Sequence, residues 1–96
     1  MKPSLLEEWY ASQCNGEWEH GYGISIETLD NPGWRVRIEL HGTPKELQKL
    51  ERIQIQREDE NNWIQYWVED RIFNIACGPL NLSEASEIFV NWFSSK

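Results

Sequence analysis

Ten residues near the amino end, CNGEWEHGYG from Cys14 to Gly23, gather most of the groups in this chain that could make or break a bond. Cys14 and His20 are a thiol and a base. Glu17 and Glu19 flank an indole and could orient the imidazole, as a third group does in nucleophilic catalysis. The same two carboxylates are a minimal acid–base pair of the kind used on glycosides. Cys14 and His20 are also two potential metal ligands. With Cys77 and His41 they make up every cysteine and histidine in the chain.

Each chemistry demands more than residue types. A structural zinc site takes four ligands, usually with two close in sequence. Here the cysteines stand sixty-three positions apart and neither belongs to a close pair. A calcium loop built on Asp30 or on Glu58, Asp59 and Glu60 would need a twelve-position ligand pattern that is missing. The chain has no phosphate-binding loop, dinucleotide fingerprint, CxxC or HExxH. Cys14 and Cys77 therefore read first as small buried apolar groups. No cofactor or metal is expected. An enzyme reading survives in one form, a small thiol- or carboxylate-dependent hydrolase using Cys14, Glu19 and His20.

Charge narrows the class of partner. Sixteen acids oppose nine lysines and arginines, for a net charge of −7. Glu7, Glu8, Glu17, Glu19, Glu27 and Asp30 face only Lys2 in the first thirty residues. Such a surface repels phosphate backbones, which argues against nucleic acid as a partner. A basic protein, for instance a nucleic-acid enzyme under restraint, is the natural complement. No apolar run is long enough to span a membrane. The opening MKPSLLEEWY lacks the apolar stretch of a secretion signal. Together with unpatterned cysteines this predicts a cytosolic protein.

The elements that must position these groups follow from periodicity. A chain of 96 residues predicts one domain, 1–96. Leu5, Leu6, Trp9 and Tyr10 recur at helical spacing, and Ser4 with Glu7 fits a capping box, so Ser4 to about Gln13 is a helix. Asn15–Gly16 ends it. Tyr22 to Leu29 and Trp34 to Leu40 alternate as two strands of a hairpin, with LDNPG between them. Residues 41–50 are ambiguous between turn, short helix and strand. RIQIQR, Arg52 to Arg57, is a third strand, with EDENN as a polar tip after it. WIQYWVE, Trp63 to Glu69, is a fourth, and it is apolar on both faces: Ile64, Tyr66 and Val68 on one, Trp63 and Trp67 on the other. Asp70–Arg71 is a tight turn into IFNIAC, the fifth. Asn81 and Glu84 fit a second capping box, with Leu80 and Ala85 as a staple, ahead of a closing helix that ends near Ser94. The expected fold is α+β: an antiparallel five-stranded meander with amino- and carboxy-terminal helices on one face.

Two aromatic features remain. Trp18 sits in a connection and must either plug the edge of the core or meet a partner. Trp63 and Trp67 either lie under a packed segment or form an exposed patch, for another protein or for a second copy of the chain.

The stretch WYASQCNGEWEHGYGISIETLDNPGW, Trp9 to Trp34, resembles the immunity protein 53 family of bacterial polymorphic toxin systems. The resemblance is densest in the WY…QC, G-WEH-YG and LDNPGW elements. It is looser from Gly42 to Glu60 and returns in the tryptophan-bearing strand and in GPLNLSE, Gly78 to Glu84. It implies a non-enzymatic protein that protects its producer by binding a cognate toxin domain in the cytoplasm. On that view Glu17, Trp18, Glu19 and His20 form one candidate contact region. Glu58, Asp59 and Glu60 form another, suited to steering, and Trp63 and Trp67 a third. Glu19 and His20 have an alternative role in fixing the helix-to-strand joint. A non-enzymatic adaptor subunit is the remaining class.

Overall fold

The computed structural model describes residues 4–57 and 59–95. The first helix, α1, is Ser4–Gln13. A one-turn helix, α2, covers Trp18–Gly21. The strands are β1 (Ile24–Leu29), β2 (Gly33–Glu39), β3 (Leu50–Gln56), β4 (Trp63–Glu69) and β5 (Ile72–Cys77), and α3 (Leu82–Ser94) closes the chain. The α+β class, the five antiparallel strands and the packed terminal helices are those the periodicity predicts. The helix α2, inside the expected connection, is additional.

The spatial order is β1-β2-β5-β4-β3, with every pair antiparallel. The meander thus runs in two consecutive pieces, β1–β2 and β3–β4–β5, joined by inserting β5 beside β2. Residues 40–49 carry the chain to the far edge. They do so through turns closed by bonds from Thr43 N to Leu40 O, Glu46 N to Thr43 O and Gln48 N to Lys45 O. The order has a physical basis in β5. Phe73, Ile75 and Cys77 are almost entirely buried, as is Asn74 on the other face, and a strand buried on both faces belongs in the centre of a sheet. The turn that feeds it has positive φ at both central residues, Asp70 (54°) and Arg71 (64°). That is the two-residue turn whose twist matches flanking strands.

One sheet face meets the helices. Val36, Ile38 and Leu40 of the β2 region, Ile64 and Val68 of β4, and Phe73, Ile75 and Cys77 of β5 pack there with Leu6 and Trp9 of α1 and Ala85 and Phe89 of α3. Aromatic rings cement the layer. Trp9 meets Phe89 edge-on at 4.8 Å and Phe93 at 5.3 Å, and Phe73 meets Phe89 at 5.0 Å. Pairs of this geometry add about 0.5–1.5 kcal/mol beyond their buried area.

The expected caps fare unevenly. The Ser4–Glu7 box turns on the Ser4 side chain, which lies outside the described part of the structure. The Asn81–Glu84 box does not form. Asn81 makes no side-chain cap bond; instead its Oδ1 accepts from Trp63 N (3.2 Å) and its Nδ2 donates to Asn62 Oδ1 (2.9 Å). Glu84 is taken by Arg57 at 2.7 Å. Both side chains tie α3 to the β3–β4 end of the sheet, which competes with local capping. The staple is absent too, because Leu80 is 88% exposed.

Candidate functional site

The CNGEWEHGYG segment is a reciprocal capping device. Asn15 Oδ1 accepts from the amides of Glu17 and Trp18, both at 2.9 Å. Glu19 reaches back so that its carboxylate accepts from Asn15 N (2.9 Å) and Gly16 N (2.8 Å). Gly16 has φ +93°, a conformation that suits glycine. Bonds from backbone amides, its own first and then those of Asn15 and Gly16, hold the Glu19 carboxyl below the usual carboxylate range despite partial burial. A bond donated by an amide stabilises the carboxylate more than the neutral acid.

Trp18 is thereby driven into the core edge, where it is 7% exposed. Its Nε1–H donates to His41 O at 2.7 Å, and its ring meets Trp9 edge-on at 5.9 Å. His41 stacks on Tyr22 with centroids 4.6 Å apart. The indole therefore joins α2 to the segment after β2.

The groups needed for catalysis do not converge here. Cys14 is half-buried just past the end of α1, and its Sγ–H donates back to Tyr10 O of that helix at 3.3 Å. Both oxygens of Glu19 accept from backbone amides, whereas an orienting acid would accept from the His20 ring. His20 is exposed. Cys77 is fully buried, and burial pushes its thiol up to about 11. Among the described residues no group of three or more His, Cys, Asp or Glu is placed to hold a metal ion. No helix among them is long and apolar enough to cross a membrane.

The remaining candidates occupy surfaces. Trp63 and Trp67 lie half-buried on the sheet face turned away from the helices. Arg52 lays its guanidinium 3.9 Å over the Trp67 ring and donates to Gln65 Oε1 at 3.0 Å. Asp59 and Glu60 are exposed at the β3–β4 tip. Asp59 Oδ1 accepts from Asn61 N at 2.8 Å. Glu58 lies outside the described residues. Glu17 is exposed at the position just before α2.

One concavity was not foreseen. A groove of about 620 Å³ runs between α1, the start of α3 and β1. Leu6, Tyr10, Tyr22, Ile24, Ile26 and Leu82 supply its apolar surface, and Glu7 stands at its margin. Cys14, Glu19 and His20 do not line it. A second depression, of about 550 Å³, lies between residues 46–51 and 68–71 and is bordered by charged groups including Glu46, Lys49 and Arg71. The signal for the groove was present as the Tyr22, Ile24, Ile26 alternation. That alternation reads equally as ordinary core until the strand is known to lie at an edge.

These features define a small antiparallel α+β protein that displays aromatic and apolar surface beside acidic groups. A family model described as Immunity protein 53 matches residues 4–94, and the chain belongs to that family. No curated protein and no solved structure matches it.

Proposed function

We propose that this protein neutralises a cognate toxin domain by occupation: it binds the toxin, covers its active site and makes or breaks no bond itself. Membership of an immunity-protein family over residues 4–94 carries the reading. The dispersal of Cys14, Glu19 and His20 supports it, since a reaction centre needs such groups within hydrogen-bond reach of one another around a pocket.

The charge of −7 favours a basic target, such as a nuclease, met in the cytoplasm. In this reading Glu17, just ahead of α2, and Asp59 and Glu60 at the β3–β4 tip, with Glu58 before them in sequence, steer the encounter, and His20 on α2 adds a polar contact. Trp63 and Trp67 supply aromatic contact area. Trp18 and Glu19 act from beneath by holding α2 in place. A standard interface of about 1,200–2,000 Å² would engage a substantial part of this surface.

Co-expression with the toxin domain encoded beside this gene tests the reading. The expected result is restored growth and a stable complex on co-purification. A toxin that still kills its host when this protein is abundant and folded would overturn it, as would rescue lost on replacing Cys14 or His20 with binding intact.

A further inference from the structure

We propose that the outer edge of β1 and the groove beside it receive one extended segment of the toxin domain. The segment adds to the sheet as a sixth strand, with apolar side chains at alternate positions and Lys or Arg beside them. The proposal rests on the toxin-neutralising reading above.

Among the described residues β1 pairs with one strand, β2, so its other side has no strand partner. Glu39 N donates to Gly23 O at 3.1 Å, which turns the Gly23 peptide group toward β2. In an antiparallel ladder these directions alternate residue by residue. Ser25, Glu27 and Leu29 therefore also face β2, and Ile24, Ile26 and Thr28 direct their N–H and C=O groups outward. The side chains of Ile24 and Ile26 line the groove. One short segment thus offers both a backbone template and apolar pockets for alternate side chains, the two requirements of strand addition.

The two edges of the sheet differ. Exposed edges in native proteins are usually blunted by bulges, charges or proline. β3 shows such a device: its register shifts between Leu50 and Ile53, where Glu51 and Arg52 intervene. β1 runs in unbroken register from Ile24 to Leu29, without proline, lysine or arginine. Ile26 is 46% exposed, although its ladder partner Val36 is 1% exposed. Of the two edge strands, the one in unbroken register also carries the more exposed isoleucine, since Ile53 of β3 is 38% exposed.

Charge selects the occupant. Glu7 lines the groove, exposed Glu8 follows it on α1 and exposed Asp30 lies just after β1, whereas Glu27 points to the other sheet face, across from Arg35. Among the described residues no lysine or arginine lines the groove. A basic strand is complementary to this rim. A second copy of the chain would bring Glu7, Glu8 and Asp30 against the same acids, with −7 on each partner, and like charges in juxtaposition oppose pairing.

The test uses the full chain and a catalytically silenced form of the toxin domain encoded beside its gene. Amide hydrogen exchange is followed at Ile24, Ile26 and Thr28, free and in complex. Binding is measured for Thr28→Pro, which removes one outward N–H, and for Ile26→Arg, which places a like charge in the groove. Exchange at the three amides should slow at least tenfold in the complex. Each variant that retains its cooperative thermal transition should bind at least tenfold more weakly. If the wild-type chain binds but the three amides exchange as in the free protein, this site is wrong while neutralisation stands. If a folded Ile26→Arg variant binds unchanged, the site is again wrong. If the three amides slow in the isolated chain as its concentration rises, the occupant is a second copy and the proposal fails. Absence of any binding or rescue by the wild-type chain would remove the neutralising reading itself, and this site with it.

Discussion

The indole N–H of Trp18 bonds to the backbone carbonyl of His41, twenty-three residues on, at 2.7 Å. This bond explains how a large aromatic can sit buried in a short connection. The ring fills the edge of the core, and its polar atom satisfies a carbonyl that follows β2. Phenylalanine at 18 would keep much of the packing but leave that carbonyl unpaired, at a cost of about 1–3 kcal/mol. Alanine would also open a cavity and cost about 3–5 kcal/mol. Trp9 offers the control. Its Nε1–H is buried and has no partner among the described residues, so Trp9→Phe should be the milder of the two Trp→Phe changes. Denaturant titration of the variants at one pH checks the ranking.

The Glu19 carboxyl is held below its usual range in the folded chain. A depressed folded-state pKa adds stability above the unfolded value of about 4.3 and loses it as pH falls through the folded value. Glu19→Gln should therefore destabilise the protein at pH 7. The gap from wild type should narrow steadily once the pH drops below about 4.3. Melting both proteins from pH 7 down to pH 3 would reveal this convergence. A gap that stays constant with pH would show that the carboxylate charge is not what the amides recognise. Asn15→Ala removes the opposite half of the device and should cost about 0.5–2 kcal/mol, the usual range for a lost helix cap.

Gly78 joins β5 to the segment before α3, and a side chain there has no room. A Cβ would overlap the Asn61 carbonyl oxygen and lie 2.7 Å from Asn81 Oδ1. Asn81 is in turn bonded to Trp63 N and Asn62. Gly78→Ala should therefore disturb the tip of β3–β4 as well as the segment that follows β5, at a cost of about 1–3 kcal/mol. A fall in thermal midpoint, with loss of amide protection at Trp63, would be its signature.

Arg71 holds φ +64° in the β4–β5 turn. Such a conformation costs a side-chain-bearing residue about 1–2 kcal/mol. Its ion pair with Glu46, at 3.3 Å between half-exposed groups, returns little. Arg71→Gly should stabilise the fold by about 0.5–1 kcal/mol after the greater entropy of glycine in the unfolded chain is set against the relieved strain. An unchanged or lower denaturation midpoint would mean that the Glu46 pair matters more than its exposure suggests.

Much of the fold was legible because its periodicities are clean. Trp34, Val36, Ile38 and Leu40 alternate, Leu6 and Trp9 are helically spaced, and Phe89, Trp92 and Phe93 recur on the last helix. Strand order was not legible. Short links favour neighbours, and nothing local announces that residues 40–49 cross to the far edge. The clue was the composition of IFNIAC, apolar enough to be covered on both faces. The Asn81–Glu84 motif misled because its partners, Trp63 and Arg57, are remote in sequence. Of the candidate contact residues, Trp18 and Glu19 proved to be internally engaged, and no local pattern distinguishes an indole that plugs from one that binds. The groove stayed hidden for the same reason as the strand order: Ile26 is exposed only because β1 lies at an edge.

If acidic groups steer the toxin, reversing them should act on encounter more than on residence. Glu17 is exposed just ahead of α2, and Asp59 and Glu60 are exposed at the β3–β4 tip, so none of the three contributes to the core. Charged groups at the rim of an interface change association rate and salt dependence, whereas buried anchors set dissociation. The triple change Glu17→Lys, Asp59→Lys and Glu60→Lys moves the net charge from −7 to −1, because each replacement adds two positive charges. Association with the toxin domain should slow by about tenfold at low salt, within the range electrostatic steering supplies. The difference should shrink toward nothing near 0.5 M salt, where the screening length falls to a few ångströms. Dissociation should change by less than about twofold, since the anchors are untouched. Stopped-flow association at several salt concentrations separates these outcomes. An unchanged association rate would assign steering to other acids, and a large rise in dissociation would place these three inside the contact.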